Sequence, residues 1–241
     1  MTSHVSLQPA SDRAQLRAGV IRRMTQIIVG LLIQAVILFA AAGDPGWTAA
    51  WIYLGIYVAA LAINSLVLLP RNPELAAERS RVADNTKRWD RILALMVSVV
   101  GPLLTLVIAG LDDRYRWSSV ATPIQLGAAV AILGGYALVS WSMVSNAFFS
   151  GVVRIQTERN HQVATSGPYR FVRHPGYVGM IAFDLGTPLL LDSTWGFAVA
   201  VVVAVVFVIR TYLEDTTLRR ELTGYEDYAL RVRYRLLPGV W

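Results

Sequence analysis

The stretch from Gly151 to Gly179, GVVRIQTERNHQVATSGPYRFVRHPGYVG, gathers the side chains most able to do chemistry. It holds His161 and His174, four arginines and three aromatic rings, and it runs into Arg173-His174-Pro175-Gly176-Tyr177. About thirty residues further on, Arg210 is followed four positions later by Glu214, with Asp215 beside it. A spacing of four puts Arg210 and Glu214 on one helix face. A pocket between these two regions would offer cationic donors, a carboxylate and aromatic faces. That set suits a polar cofactor arriving from water and an apolar substrate arriving from a bilayer.

The elements that must position these residues are membrane helices. Hydrophobic residues make up 55% of the 241, charged residues only 16%, and the mean hydropathy is +0.48. Long apolar runs predict spanning helices, because a helix satisfies its own backbone groups in lipid. The predicted spans are 24–42, 47–69, 92–110 and 121–143. The apolar stretch 176–210, interrupted by Pro188 and Asp192-Ser193, divides into a helical hairpin of 177–191 and 194–210. The expected fold is an all-α bundle of about six spans. It forms one membrane domain over 1–241, with a four-helix region at 1–143 and a catalytic region at 144–241 containing the hairpin and a tail helix. Trp47, Trp51 and Tyr53 read as an interfacial aromatic anchor.

All of the 22 basic residues except Arg114 and Arg116 fall on one predicted side. They occupy the N-terminus from Arg13, the loop 70–91, the segment 144–175 and the tail. The positive-inside rule places that side, with both termini, in the cytoplasm, which in a bacterium means the inner membrane. The run after residue 23 lacks a convincing small-residue cleavage site and reads as a retained helix. The +6 net charge thus tracks a membrane surface and its lipids rather than nucleic acid. Asn72-Pro73-Glu74 supplies an N-cap, a proline at the first helical position and an acid near the positive end. It predicts a short interfacial helix over 73–81, read as a connector whose arginines meet lipid phosphates. Asp184 lies well inside the fifth span, where an ionisable group is costly and either paired or functional.

The absence of cysteine excludes disulfides, thiolate metal sites and a cysteine nucleophile. His-Glu-x-x-His, the Rossmann glycine fingerprint and the P-loop are absent too, and three histidines, including His4, make no metal site. No internal repeat, low-complexity segment or Gly-x-x-x-Gly motif occurs, and the sequence sets no oligomeric state.

The run His161-x-Val163-Ala164-Thr165-Ser166-Gly167-x-Tyr169, then Arg173-His174-Pro175-Gly176-Tyr177-Val178-Gly179, resembles the isoprenylcysteine carboxyl methyltransferase family. So do Arg210-x-x-x-Glu214-Asp215-x-x-Leu218 and Gly224-Tyr225-Glu226-Asp227-Tyr228, while Asn72-Pro73-Glu74-Leu75 with Trp89-Asp90 is similar to bacterial members. The resemblance covers roughly residues 146–238. It implies an integral membrane methyltransferase using S-adenosylmethionine on a lipophilic or lipid-linked acceptor, a carboxylate above others. The cofactor positions it implies are Gln156, His161, Val163, Ala164, Tyr169, His174, Pro175, Tyr177 and Glu214, with Arg210 beside the methyl-accepting group. Two departures stand out: Glu214-Asp215 replaces the usual pair of glutamates, and the Gln156–His161 spacing is shorter than in eukaryotic members. Arg-His-Pro-x-Tyr also occurs in membrane sterol reductases, so an NADPH-dependent reductase is the alternative; a non-catalytic membrane protein is the third reading.

Overall fold

A computed structural model describes residues 10–80 and 86–241, with side chains from Ala14 onward; His4, Arg81 and the Arg13 side chain lie outside it. The described residues form helices and turns without a strand. In order these are α1 (Ala10–Ala42), α2 (Thr48–Arg71), α3 (Pro73–Glu78) and α4 (Arg88–Leu95). A π turn (Met96–Val100) carries α4 into α5 (Gly101–Tyr115), followed by α6 (Thr122–Ser145), α7 (Pro175–Leu190), α8 (Thr194–Glu221) and α9 (Tyr225–Arg231). Two 3-10 turns, Thr157–Arg159 and Gly167–Arg170, lie in the long connection between α6 and α7.

Among the described residues, five helical runs are long and apolar enough to cross a bilayer: Ala14–Ala42, Thr48–Arg71, Arg88–Tyr115, Thr122–Ser145 and Thr194–Glu221. The protein is an integral membrane protein by that measure. The expected hairpin is present, with Pro175 opening α7 and the Ser193 hydroxyl capping α8 by accepting from the Gly196 N–H at 2.8 Å. Its first arm, α7, has 16 residues. At 1.5 Å per residue that is about 24 Å, short of the roughly 30 Å hydrocarbon layer.

Side chains left outside by the packing are apolar, among them Leu32, Val36, Leu66, Leu126, Val130 and Val202, as a lipid-facing surface requires. The tightest helix pair is α6 with α7. A Cβ on Gly135 would sit 2.6 Å from the Gly179 carbonyl oxygen, and one on Gly186 would sit 3.0 Å from the Ala128 carbonyl oxygen. The two backbones therefore touch where side chains would otherwise stand.

The polar ends of the bundle differ. At one end Asp112 accepts from the Ser118 N–H (2.8 Å), the Ser118 hydroxyl (2.7 Å) and the Ser193 hydroxyl (2.5 Å), tying α5 to the α7–α8 turn. Arg114 and Arg116 belong to this end. The opposite end carries Lys87, Arg154, Arg173, Arg210, Arg219 and Arg235, each paired with an acid.

Two expectations change. Trp51 is surface-exposed and donates to the Pro45 carbonyl at 2.8 Å, but Trp47 and Tyr53 are buried in the core between α1, α2, α5 and α6. Only Trp51 of the three can serve as an interfacial anchor. The short helix after Asn72 exists, capped by Asn72 Oδ1 accepting from the Leu75 N–H at 3.1 Å. It is no loose connector. Leu75, Ala76 and Ala77 are buried, and α1 approaches so closely that a Cβ on Gly19 would meet Ala77 Cβ at 2.7 Å.

Candidate functional site

The connection between α6 and α7 is shaped by a few local devices. Asn146 ends α6, its Oδ1 accepting from the Phe148 N–H (2.9 Å) and its Nδ2 donating to the Tyr169 hydroxyl (3.2 Å). Gly167 turns the chain with φ of +58°, and any Cβ there would lie 2.9 Å from Ser145 Cβ. Glycine is the residue that accepts both conditions. The turn seats Tyr169, whose carbonyl accepts from the Tyr228 hydroxyl of α9 at 2.8 Å.

The run Arg173-His174 is fastened to the tail from both backbone and side chain. The Arg173 and His174 N–H groups donate to the carbonyls of Tyr234 and Arg235, both at 2.9 Å. The Arg173 guanidinium grips Asp215 at 2.6 and 3.0 Å and the carbonyls of Val232 and Arg233 at 2.7 and 2.8 Å. Asp215, fully buried, also accepts from the Tyr225 hydroxyl (3.0 Å), Arg219 (3.2 Å) and Arg235 (3.0 Å). Its role here is to lock α8, α9 and the connection together.

This frame borders a partly open cavity. His161, Val163 and Ala164 line it from the connection, Tyr169 from the turn, and His174, Tyr177 and Glu214 from the helices. The His174 and Tyr177 rings lie nearly parallel, 5.8 Å apart, and the Tyr177 hydroxyl donates to Glu214 Oε2. His161 packs against Phe148 at 4.6 Å, and its Nδ1 accepts from the Gln156 N–H at 3.3 Å, leaving Nε2 as the donor. Burial, together with the positive charges of Arg154 and Arg159, pushes His161 down to about 4, so it is neutral near pH 7.

Gln156 and Pro175 are not among the lining residues. Gln156 is buried behind the wall, donating to the Phe148 carbonyl (2.8 Å) and accepting from Arg159 (2.7 Å), so it holds His161 and Phe148 in place. Pro175 opens α7. Leu218, Leu222, Tyr225 and Tyr228 line the cavity and were not singled out as site residues from the sequence. The aromatic spacing in Gly224-Tyr225-Glu226-Asp227-Tyr228 was the available signal.

Arg210 faces a second, partly open cavity between the spanning helices. It is not paired with Glu214. Its Nε and Nη2 bind Asp90 at 2.6 and 3.1 Å, Nη2 also donates to the Gly151 carbonyl at 2.8 Å, and the guanidinium lies 5.3 Å from the Tyr177 ring centre. The spacing of four places Arg210 at the ring of Tyr177 and Glu214 at its hydroxyl. Asp90 is fully buried and accepts from the Val153 N–H at 2.6 Å, joining α4 to the connection. An acid opening the third span was its signal in the sequence.

The second cavity draws Gln34, Tyr53, Tyr57, Tyr136 and Asp184 from α1, α2, α6 and α7. Asp184 thus lines a cavity and makes no hydrogen bond or ion pair to any described residue. Arg79, just past α3, lines it as well and stacks over Phe149 at 5.4 Å. Burial first, then the charges of Arg23 and Arg210, lower the Arg79 guanidinium to about 10, still cationic near pH 7. Tyr177 and Ser150 border both cavities.

Residues 127–220 match the model of the isoprenylcysteine carboxyl methyltransferase (ICMT) family. A protein-S-isoprenylcysteine O-methyltransferase B of Arabidopsis thaliana is 28% identical over 142 residues, covering 58% of this chain and 70% of that protein. A probable protein-S-isoprenylcysteine O-methyltransferase of Oryza sativa subsp. indica is 28% identical over 109 residues, 44% of this chain and 57% of its own length. The protein-S-isoprenylcysteine O-methyltransferase of Rattus norvegicus is 26% identical over 188 residues, 76% of this chain and 64% of its own. The matched stretch contains both halves of the site, from Tyr169 to Glu214, and over it the chain is similar to the isoprenylcysteine carboxyl methyltransferase family.

Proposed function

We propose that this membrane methyltransferase binds S-adenosylmethionine in the first cavity and methylates the carboxylate of a lipophilic, isoprenylcysteine-like acceptor in the second. The observation that carries the reading is the shared border: Tyr177 has its hydroxyl on Glu214 in one cavity and its ring beneath Arg210 in the other. The relatives are named as methyltransferases, which leaves the reductase alternative without support.

The first lining fits the donor. The faces of Tyr169 and Tyr177 suit a sulfonium cation. Glu214 retains Oε1 to accept from ribose hydroxyls or an ammonium, and His161 Nε2 is a neutral donor for a carboxylate. When bound, S-adenosylmethionine supplies a methyl group activated by its positive sulfur. The chain's task is to hold and align, so catalysis rests on proximity and exclusion of water. A carboxylate acceptor is ionised near pH 7 and needs no base. Arg210, non-titrating and fixed by Asp90, orients the acceptor from the second cavity. The charge asymmetry supports a cytoplasmic first cavity with both tails on that side, and residues 144–241 carry most of the machinery.

Calorimetric titration of the purified protein with adenosylhomocysteine and, separately, NADPH tests this, alongside methyl transfer to N-acetyl-S-farnesylcysteine. Micromolar adenosylhomocysteine binding and formation of a base-labile methyl ester are expected. Binding of NADPH alone would overturn the proposal.

A further inference from the structure

The charge of Arg210 is already balanced. Asp90 takes two of its donors in a buried ion pair, and Gly151 takes a further bond, so Arg210 presents an N–H edge but little net charge to the second cavity. An anion leaving water for a buried site needs a counter-charge there. Another residue must supply it.

Arg79 has that charge. Its Nε and Nη1 are shielded from solvent and make no hydrogen bond to any described residue. Its guanidinium lies over Phe149, which lines the first cavity, while Arg79 lines the second alongside Tyr177 and Arg210. Asp184, the carboxylate in the same cavity, forms no ion pair with it. The backbone around Arg79 is built to keep it there: Asn72 caps α3, Leu75 to Ala77 are buried under α1, and Ser80 is held through its carbonyl by Gln26 Nε2 at 3.2 Å. Two shielded guanidinium donors without an acceptor are costly unless a ligand completes them.

Resting on the methyl-transfer reading, we propose that Arg79 binds the anionic group of the acceptor, its carboxylate, at the seam where the two cavities meet. Arg79 provides the charge and Arg210 the orientation. The carboxylate oxygen attacks the methyl carbon, the carbon–sulfur bond breaks with its electron pair going to sulfur, and a neutral methyl ester and adenosylhomocysteine result. Arg79 thereby selects ionised acceptors over neutral ones of the same shape.

The test uses the full chain in lipid nanodiscs, with Arg79→Gln and Arg79→Lys, and calorimetric binding of N-acetyl-S-farnesylcysteine and of its carboxamide. Adenosylhomocysteine affinity, expected to be unchanged, reports whether each variant is folded, and Arg79→Lys retains the charge if the glutamine variant fails to fold. The wild type should favour carboxylate over carboxamide. Arg79→Gln should lose roughly 10- to 100-fold in carboxylate affinity, the range for removing a charge-assisted hydrogen bond, with carboxamide affinity unchanged and Arg79→Lys between. In turnover the loss should fall on KM and leave kcat nearly unaltered. Equal binding of carboxylate and carboxamide by the wild type would overturn the proposal, as would an unchanged carboxylate affinity in a folded Arg79→Gln variant. A loss confined to retained phosphatidylglycerol would identify a lipid phosphate as the partner and overturn it too. Direct binding needs no turnover, so failure of methyl transfer is read separately, from the wild type alone.

Discussion

Removing the Asp90 carboxylate should be among the most damaging single changes in this protein. Asp90→Ala leaves the Arg210 guanidinium, 3% exposed, without its anion, and leaves the Val153 N–H without its acceptor. Breaking a buried pair from one side costs about 3–5 kcal/mol, and an orphaned buried donor about 1–3 kcal/mol. The two share one carboxylate and do not add fully, so we expect about 4 kcal/mol. For a chain of this size each kcal/mol moves the midpoint by about 2–4 °C, giving a fall in Tm of about 8–16 °C. Tryptophan-fluorescence melting in detergent measures it. Asp90→Asn should lie between, because the amide oxygen can still accept from Val153. The double variant Asp90→Ala, Arg210→Met should melt above Asp90→Ala alone, since it leaves no unpaired buried charge. A midpoint for Asp90→Ala within about 2 °C of wild type would refute this account of the pair.

Three further outcomes are expected. Gly179→Ala would place a methyl 2.8 Å from Val139 Cγ2 and 3.1 Å from the Val139 nitrogen, so it should destabilise by about 1–3 kcal/mol in the same melting assay. Gly127→Ala, with nothing within 4 Å, should not, and equal losses for the two would refute the close-crossing argument. Glu214→Ala should weaken adenosylhomocysteine binding about tenfold or more by calorimetry while leaving the melting curve near wild type. For His161 the folded group titrates at about 4 against an ordinary 6.5. The unfolded chain therefore takes up its proton first, so stability is full above pH 6.5, declines as pH falls towards 4, and loses nothing further from this group below that. His161→Gln should flatten that slope in melts across the range, and parallel pH profiles for variant and wild type would contradict the assignment.

The helices and the hairpin were legible because hydropathy and two interrupting features, Pro188 and Asp192-Ser193, act locally. The connection's lining residues could be named because a resemblance supplied them, and the turn at Gly167 follows from a glycine requirement any reader can see. What stayed hidden was direction. Arg79 looked like one more basic loop residue, because a one-dimensional reading cannot tell that Leu75 to Ala77 bury and so turn the next guanidinium inward. Tyr53 passed for a belt residue for the same reason. The α6–α7 crossing was missed because its small residues do not repeat every four positions: Ala128 and Gly135 on one helix meet Gly186 and Gly179 on the other, each pair seven apart.

The border formed by Tyr177 and Ser150 also dictates how this protein must be assayed. On the proposed reading, one reactant is counted in moles per litre of water and the other as a mole fraction of lipid, each meeting the same tyrosine from a different phase. Adding inert phospholipid at fixed total acceptor would then dilute one reactant and not the other. Rates would fall with the acceptor's surface density while remaining indifferent to reaction volume, provided the water-soluble donor is held constant. An apparent KM quoted in molar units for the acceptor would describe the bilayer supplied as much as the protein.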